Sequence, residues 1–329
     1  MAVEGEMTKA MRVHATGGAE ALSWEEIDVA APGAGEVVVR NEAIGLNFID
    51  VYFRNGLYKA PLPFVPGNEG AGVIEAVGPD VAGFAVGDRV GYVGPPGAYA
   101  ERLVRPAAQL IALPDALDSV TAAQILLKGI TAEYLIRRTY PVQAGDTILV
   151  HAAAGGVGQI ACQWAADIGA RVIGTVGSAA KRAIAERCGC ARVIVTDEED
   201  FVAAVREETG GEGVAVVYDG VGADTFEGSL ACARTRGLVV AFGAASGPIP
   251  PLDLQRLNAL GSLYVTRPSL AAYTRTPEEL RTAAEAVFAA VARGAVRIAP
   301  PATYPLAEAA RAHADLEARR TTGSIVLLP

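Results

Sequence analysis

The sequence predicts an α/β protein, in which a β-rich domain accompanies a doubly wound, parallel, six-stranded sheet. Three observations carry that expectation. Short β-branched runs cut by glycine and proline (EVVVR, GAGVIEAVG, GDRVGYVG, ERLVRP) fill the chain up to about Pro106. From Asp146 onward, apolar runs alternate with helix-like stretches. The crowded segment Gly155-Gly156-Val157-Gly158 sits where one such run passes into a helix. The first pattern is that of a compact unit with tight turns. The second implies parallel strands joined by helices that cover both faces of the sheet.

Six runs qualify as strands of that sheet: Thr147 to His151, Arg171 to Val176, Arg192 to Val195, Val214 to Tyr218, Leu238 to Phe242 and Ser262 to Thr266. They are apolar throughout, as strands buried on both faces must be. In the helix after the first of them, Ile160, Trp164 and Ile168 recur every four residues, Val157 and Ala161 share their stripe, and Gly169 supplies the stop. Past Pro268 the chain reads as an alanine-rich helix around Pro277 to Arg293, a second around Leu306 to Arg319, and a closing strand, Ser324 to Leu328. A lone closing strand needs a sheet partner, so the tail is expected to return to the first domain. The expected division is 1–129 for the first part of the β-rich domain, 130–267 for the sheet domain and 268–329 for the return.

At 329 residues and 51% hydrophobic composition, the chain has material for two domains and their cores. No run approaches the roughly 18 apolar residues of a membrane span. The opening MAVEGEMTKAMR is acidic and polar where a secretory signal would be basic and then apolar, so a cytoplasmic location is expected. The formal charge of -9 repels phosphate backbones and no local basic patch offsets it, which argues against nucleic-acid partners. Cys162, Cys188, Cys190 and Cys232 read as structural thiols of a reducing compartment, because Cys188-Gly-Cys190 is too cramped for a metal knuckle. Nothing groups His14, His151 and His313 as ligands, and His14 and His313 read as ordinary surface or packing residues.

A dinucleotide-binding turn needs a tight bend after a strand, a place where backbone approaches pyrophosphate, and a helix start packed close to the sheet. Ala153, Gly155 and Gly158 occupy those positions, so one glycine of the usual pattern is an alanine. The pattern alone is weak; the strand before it, the amphipathic helix after it and the next strand supply the βαβ context in which a helix start binds phosphate. That next strand runs into Gly177-Ser178, where a cofactor with a free ribose hydroxyl would call for Asp or Glu. Neither is present. Lys181 and Arg182 follow, and Lys181 can meet a 2'-phosphate through charge-assisted hydrogen bonds worth roughly 1.5–3 kcal/mol each. NADPH is therefore expected over NADH. In LKGITAEYL, Lys128 and Thr131 are read as a helix start, the lysine exposed and the Thr131 hydroxyl able to bond the cofactor's carboxamide.

The segments AIGLNFIDVYFRNGLY, HAAAGGVGQIACQWA, VVYDGVG, GSLYVTRPSL and LEARRTTGSIVLLP resemble the quinone oxidoreductase, or zeta-crystallin, branch of the medium-chain dehydrogenase/reductase superfamily. The similarity runs along nearly the whole chain. It implies a GroES-like domain built from both ends of the chain, a Rossmann domain between them, a cleft for NADPH and a homodimer. It also implies cofactor contacts at Asn47, Phe48 to Tyr52, Tyr134, Gly156, Val157, Gly177 to Lys181, Phe242, Gly243, Arg267, Pro268, Ser269, Leu270 and Arg319. Thr196 stands where close relatives have a tyrosine near the adenine ribose phosphate, and offers a hydroxyl without a ring. Gly220 stands where they have a serine, which removes a side-chain contact that a backbone amide can replace.

Alcohol dehydrogenases of the superfamily bind catalytic zinc with Cys at the position of Asn47 and His at that of Asn68. Here both are asparagine, and no cysteine precedes Cys162. A tetrahedral site would lack thiolate and imidazole, so the chain is expected to be metal-free. Without a Lewis acid, the easiest nicotinamide chemistry is hydride or single-electron delivery to an electron-poor acceptor such as a quinone, which the protein serves by orientation. Tyr52 and Tyr58 are expected to line the quinone pocket. Asn47 and Asp50 are expected to order that loop and offer a hydrogen bond to a developing oxyanion or its water. Two other readings stay open: NADPH-dependent reduction of an activated carbon-carbon double bond, as in an enone, and a non-catalytic, crystallin-like NADPH-binding role. For the homodimer, Ser262 to Val265 is the edge strand expected to pair across a twofold axis.

Overall fold

The computed structural model describes residues 6–329. It divides into two units, one comprising the chain up to Leu127 with Arg275–Ala284 and Ala299–Pro329, the other Lys128–Thr274 with Glu285–Ile298.

In the first unit β1 (Glu6–Val13) and β2 (Leu22–Val29) form an antiparallel pair. The larger sheet starts with β3 (Glu36–Leu46), β4 (Glu69–Val77), β5 (Arg89–Val93), β6 (Arg102–Pro106) and β7 (Leu110–Ala112). β3 is its spine and pairs antiparallel with both β4 and β6, while β5 and β7 continue outward from β4. Alternation in EVVVR decides the register, because Val37 and Val39 must share the face that meets Ile74, Val90 and Tyr92 in the core. A short helix, α1 (Phe48–Arg54), leaves the end of β3, and α2 (Ser119–Tyr134) follows β7. Asp118 sets the start of α2 by accepting the Thr121 N–H at 2.8 Å. LKGITAEYL is therefore helix interior and not a helix start, and Lys128 and Thr131 are both buried. The expectation of an exposed lysine and of a helix-start hydroxyl is corrected on both points. The apolar run AAQILLKGI prolongs the helix backwards to its aspartate cap.

The second unit holds β8 (Thr147–Val150), α3 (Gly156–Ile168), β9 (Arg171–Val176), α4 (Arg182–Arg187), β10 (Cys190–Val195), α5 (Phe201–Glu208), β11 (Val214–Asp219), α6 (Phe226–Cys232), β12 (Ala233–Ala241), α7 (Leu254–Ala259) and β13 (Tyr264–Thr266). The strands form one six-stranded parallel sheet in the order β10-β9-β8-β11-β12-β13. α3 lays the expected stripe on it, with Ile160, Ala161 and Trp164 buried, and closes at Gly169 in the left-handed region with φ 99. Three strands start elsewhere than expected, β10 two residues early at Cys190. β12 begins at Ala233, because Ala233 pairs with Val214 before a register irregularity that skips the exposed Arg234-Thr235-Arg236 stretch and resumes at Leu238. β13 begins at Tyr264, because Ser262 turns the chain at φ 58.

After β13 come α8 (Leu270–Tyr273), α9 (Pro277–Ala292), β14 (Ala302–Pro305), α10 (Ala309–Glu317) and β15 (Ile325–Leu328). β15 pairs antiparallel with β3, placing Ile325 opposite Leu46, and parallel with β14. Leu306, Ala309, Ala312, Ile325 and Leu327 join the core of the first unit. The segments 268–274 and 285–298 pack with the parallel sheet instead, where the sequence reading placed all of 268–329 with the first domain. Tyr273 stacks on Tyr134 at 4.5 Å between centroids, Arg293 pairs with Asp167 at 2.5 Å, and the Arg297 N–H donates to Gln163. Such contacts are invisible in an alanine-rich helix read by itself.

Candidate active site

The glycine turn opens where β8 ends. The His151 N–H donates to the Tyr218 carbonyl at 3.0 Å, the Ala153 N–H to Thr175 at 2.9 Å, and the Gly155 N–H back to Ala152 at 2.8 Å. Ala152, not Ala153, takes the left-handed conformation, at φ 51, an uncommon one for a residue with a Cβ. A Cβ on Gly158 would lie 2.3 Å from the Ala152 carbonyl oxygen, so the third position of the pattern admits only glycine. α3 starts with Gly155 as N-cap and no side-chain capping bond. A thirteen-residue helix with uncapped first-turn amides is a place where the backbone and the helix dipole favour an anionic oxygen. The turn fits a pyrophosphate.

Beyond β9 the ground is open, since no atom lies within 4 Å of where a Gly177 Cβ would sit. Ser178 leads into a short turn of helix ending at Lys181, which is half-buried. Arg182 turns away, donating to the Val193 carbonyl at 3.0 Å and approaching Glu198 at 3.7 Å. Lys181 closes this turn of helix. Thr196 follows β10, exposed, its N–H on the Val176 carbonyl at 2.9 Å. Arg267 donates to the Ala241 and Gly243 carbonyls, and Ser269 caps α8 through Ala272. The Phe242 ring lies over Gly220, where a Cβ would come 2.7 Å from it, so glycine at 220 permits this ring position. Arg319 is exposed with φ 58.

Under the glycine turn runs a buried polar chain that the sequence reading did not find. His151 Nδ1 lies 2.9 Å from Thr175 Oγ1 and its Nε2 lies 3.1 Å from Ser229 Oγ, which donates to Asp219 Oδ2 at 2.7 Å. Because the Ser229 hydrogen goes to the carboxylate, His151 donates from Nε2 and accepts from Thr175. Asp219 also accepts from Thr225 Oγ1 and from the Val221 and Gly222 amides. Burial lowers the pKa of His151, and the negative charge of Asp219 opposes that shift.

In the first unit Asn47 stands between β3 and α1. Its N–H donates to Asp50 Oδ2 at 2.8 Å, the reach-back half of a capping box, and its Nδ2 donates to Glu69 Oε2 at 2.9 Å. Glu69, fully buried, takes the Leu127 N–H of α2 at 2.7 Å with its other oxygen. Tyr52 lies within α1 rather than on a loop and is 7% exposed. Its ring meets Tyr58 edge-on at 5.3 Å and Phe48 at 6.3 Å. Asp50 points inward. Tyr99 Oη donates to it at 3.2 Å and lies 2.9 Å from His313 Nε2, while His313 Nδ1 takes a hydrogen bond from Arg54 at 3.1 Å. Arg54 closes on Glu317 with bonds of 2.8 and 2.9 Å. Burial, reinforced by Arg54, pushes His313 down to about 3; burial and then Asp50 push the Tyr99 hydroxyl well up.

Arg54, Glu69, Tyr99 and His313 were not among the residues expected to serve the site. A lone histidine on an otherwise alanine-rich helix stripe was the only available signal for this chain. At the two zinc-ligand positions, the Asn47 amide is committed to Glu69 and the Asn68 amide donates to Gly94 at 2.6 Å. Among the described residues, no group of three His, Cys, Asp or Glu side chains is arranged to hold a metal, and no helix is long and apolar enough to cross a membrane. All four cysteines are buried thiols.

A family model described as the alcohol dehydrogenase GroES-like domain matches residues 33–115, and one described as zinc-binding dehydrogenase matches residues 156–289. The chain is 52% identical to a quinone oxidoreductase of Pseudomonas aeruginosa, over 98% of this chain and 100% of that one. It is 45% identical to a 2-haloacrylate reductase of a Burkholderia species, over 98% of this chain and 99% of that one. The structure of Escherichia coli quinone oxidoreductase complexed with NADPH superposes with a TM-score of 0.95 at 46% identity, covering 98% of this chain and 100% of that one. A GroES-like domain joined to a Rossmann sheet defines the class, the medium-chain dehydrogenases/reductases. Within that class, the chain belongs to the quinone oxidoreductase family.

Proposed function

We propose that this protein is an NADPH-dependent quinone oxidoreductase that works without a metal. The observation that carries the reading is the uncapped start of α3 behind the glycine turn, with Lys181 beyond the open Gly177. The first receives the pyrophosphate, and the second gives the 2'-phosphate a cationic partner. When bound, NADPH supplies the hydride that, with a proton from water, takes a quinone to a hydroquinone. The chain's own residues bind and orient: Gly155, Gly156, Val157 and Gly158 hold phosphate, and Gly177, Ser178, Lys181 and Thr196 hold the ribose end. Tyr134, Phe242, Gly243, Arg267, Pro268, Ser269, Leu270 and Arg319 line the remainder of the cofactor's path, with Asn47 and Phe48. Tyr52 and Tyr58 present aromatic faces to a flat acceptor. Asn47, with its amide hydrogens on Glu69 and Gly45 and its N–H on Asp50, orders the start of α1 and has no donor left for a developing oxyanion, which corrects that expected role. Asp50, with its carboxylate turned inward, acts by holding Asn47. Thr131 is buried in mid-helix and is the weakest member of the cofactor set.

A second reading has its own support. The 2-haloacrylate reductase likeness points to an activated carbon-carbon double bond as acceptor, which takes the same hydride and is electron-poor enough to do so without a Lewis acid. Steady-state NADPH oxidation with a panel of quinones beside a panel of enones and haloacrylates decides. Faster turnover of quinones supports the first reading, selective turnover of the alkenes the second, and NADPH binding with no turnover would leave only a binding role. A cytoplasmic setting accords with the buried thiols. The edge strand β13, with Tyr264 62% exposed and Leu254 on α7 72% exposed, supports a homodimer paired along that edge, and a monomeric mass in light scattering would contradict it.

A further inference from the structure

We propose that Tyr99 and His313 are positioning residues for the quinone-reducing site, acting through Asp50 on the turn that presents Asn47 and Tyr52; this rests on the quinone oxidoreductase reading above.

Proton accounting along the chain gives it a direction. A guanidinium only donates, so His313 Nδ1, 3.1 Å from Arg54 Nη1, accepts, and the imidazole carries its hydrogen on Nε2. That N–H faces the Tyr99 oxygen at 2.9 Å, which leaves the Tyr99 hydrogen for Asp50 Oδ2 at 3.2 Å. Three donations therefore run one way, from Arg54 through His313 and Tyr99 to Asp50, each polarising the next. Glu317 anchors the cationic end, and the Asn47 N–H sits on the anionic end.

Asp50 is thus a fully buried carboxylate at the accepting end of this chain of donors. If Tyr99 loses its hydroxyl, or His313 the N–H that orients it, Asp50 Oδ2 loses a buried donor, and the oxygen that accepts the Asn47 N–H is held less firmly. Asn47 is where β3 stops and α1 begins, so the consequence falls on the placement of Asn47 and Tyr52. Packing alone would not ask for this arrangement, since apolar residues of similar volume commonly serve a core as well as a buried charge chain does. The chain also draws on three separate segments, α1, the stretch before β6, and α10.

The test uses the full-length protein with His313→Leu, His313→Gln and Tyr99→Phe. Glutamine keeps the polarity, with its carbonyl accepting from Arg54 and its amide donating to Tyr99. His313→Leu and Tyr99→Phe should each lower kcat for quinone reduction about tenfold or more while the NADPH Kd stays within about twofold. Amide exchange over residues 47–52 should quicken by about tenfold or more, with the glycine turn unchanged. His313→Gln should stay within about threefold of the parent on both. The proposal is overturned if the leucine and phenylalanine variants, melting cooperatively, keep parental kcat and exchange. It is equally overturned if glutamine is as harmful as leucine, because volume and not polarity would then matter. Should His313→Leu fail to fold, Tyr99→Phe, which removes a single oxygen, decides alone. A parent protein inactive with every quinone would sink the functional reading, and exchange over residues 47–52 would still decide the positioning claim.

Discussion

His313 in the GroES-like unit and His151 in the Rossmann unit are both fully buried, both carry the ring hydrogen on Nε2, and both pass it through a hydroxyl toward an aspartate. Their other nitrogens differ. Nδ1 of His313 meets the Arg54 cation, whereas Nδ1 of His151 meets the Thr175 hydroxyl. Burial lowers both imidazoles, but Arg54 drives His313 further down while Asp219 pulls His151 back. The aspartates differ in a complementary way. Asp50 has a cation at the far end of its chain, and Asp219 gathers amides and hydroxyls at the start of α6. Burial sets the direction of a shift, and the neighbour sets its extent.

The largest expected effect is at Asp219. Asp219→Ala strands two amides and two hydroxyls in the Rossmann unit and should cost on the order of 3–5 kcal/mol in urea denaturation. If it costs less than Glu317→Gln, the two chains are not comparable in the way described. Acid comes next. Unfolded, His313 titrates near its ordinary value of 6.5, and folded not until about 3, so the unfolded chain binds more protons in between. Stability from this group is complete above that window and drains away as pH falls through it, by up to about 1.4 kcal/mol per unit. Denaturation across that range should be flatter for His313→Gln. His151→Gln should flatten it in the same sense, because burial lowers that imidazole too, against the pull of Asp219.

The choice between the two cofactors should answer to the Rossmann unit. Lys181→Ala should weaken NADPH binding by about ten- to a hundredfold and leave NADH unchanged, as the loss of a charge-assisted bond or two requires. Equal use of both cofactors by the parent protein would remove the premise. The smallest effect belongs to Glu317→Gln. The carboxylate is 37% exposed and glutamine keeps an acceptor for Arg54, so a loss of about 1 kcal/mol or less is expected in the same denaturation assay.

The Rossmann half was legible because its signals are local. Glycine spacing, an apolar strand and a four-residue stripe lie within a few turns of one another, and α3 and β9 fall where the sequence puts them. The helix start at Lys128 was misread because the true cap, Asp118, lies ten residues upstream of an uninterrupted apolar stretch. Asp50 was legible as ordering the segment around Asn47 but not as inward-facing, since a capping aspartate and a catalytic one look alike in sequence. Nothing in RAHADL announces that its histidine meets Tyr99 and Arg54.

By itself the sequence determined the βαβ architecture, the glycine turn between β8 and α3, and the absence of zinc-ligand residue types at Asn47 and Asn68. Those follow from residue identity and short spacing, which backbone sterics and hydrophobic periodicity convert directly into local structure. Only the tertiary structure decided which polar residues are buried together. Arg54 and His313 are 259 positions apart, and His151 and Ser229 are 78 apart. Their protonation and hydrogen-bond direction are properties of a shared low-dielectric interior, which exists only once the chain has closed around them.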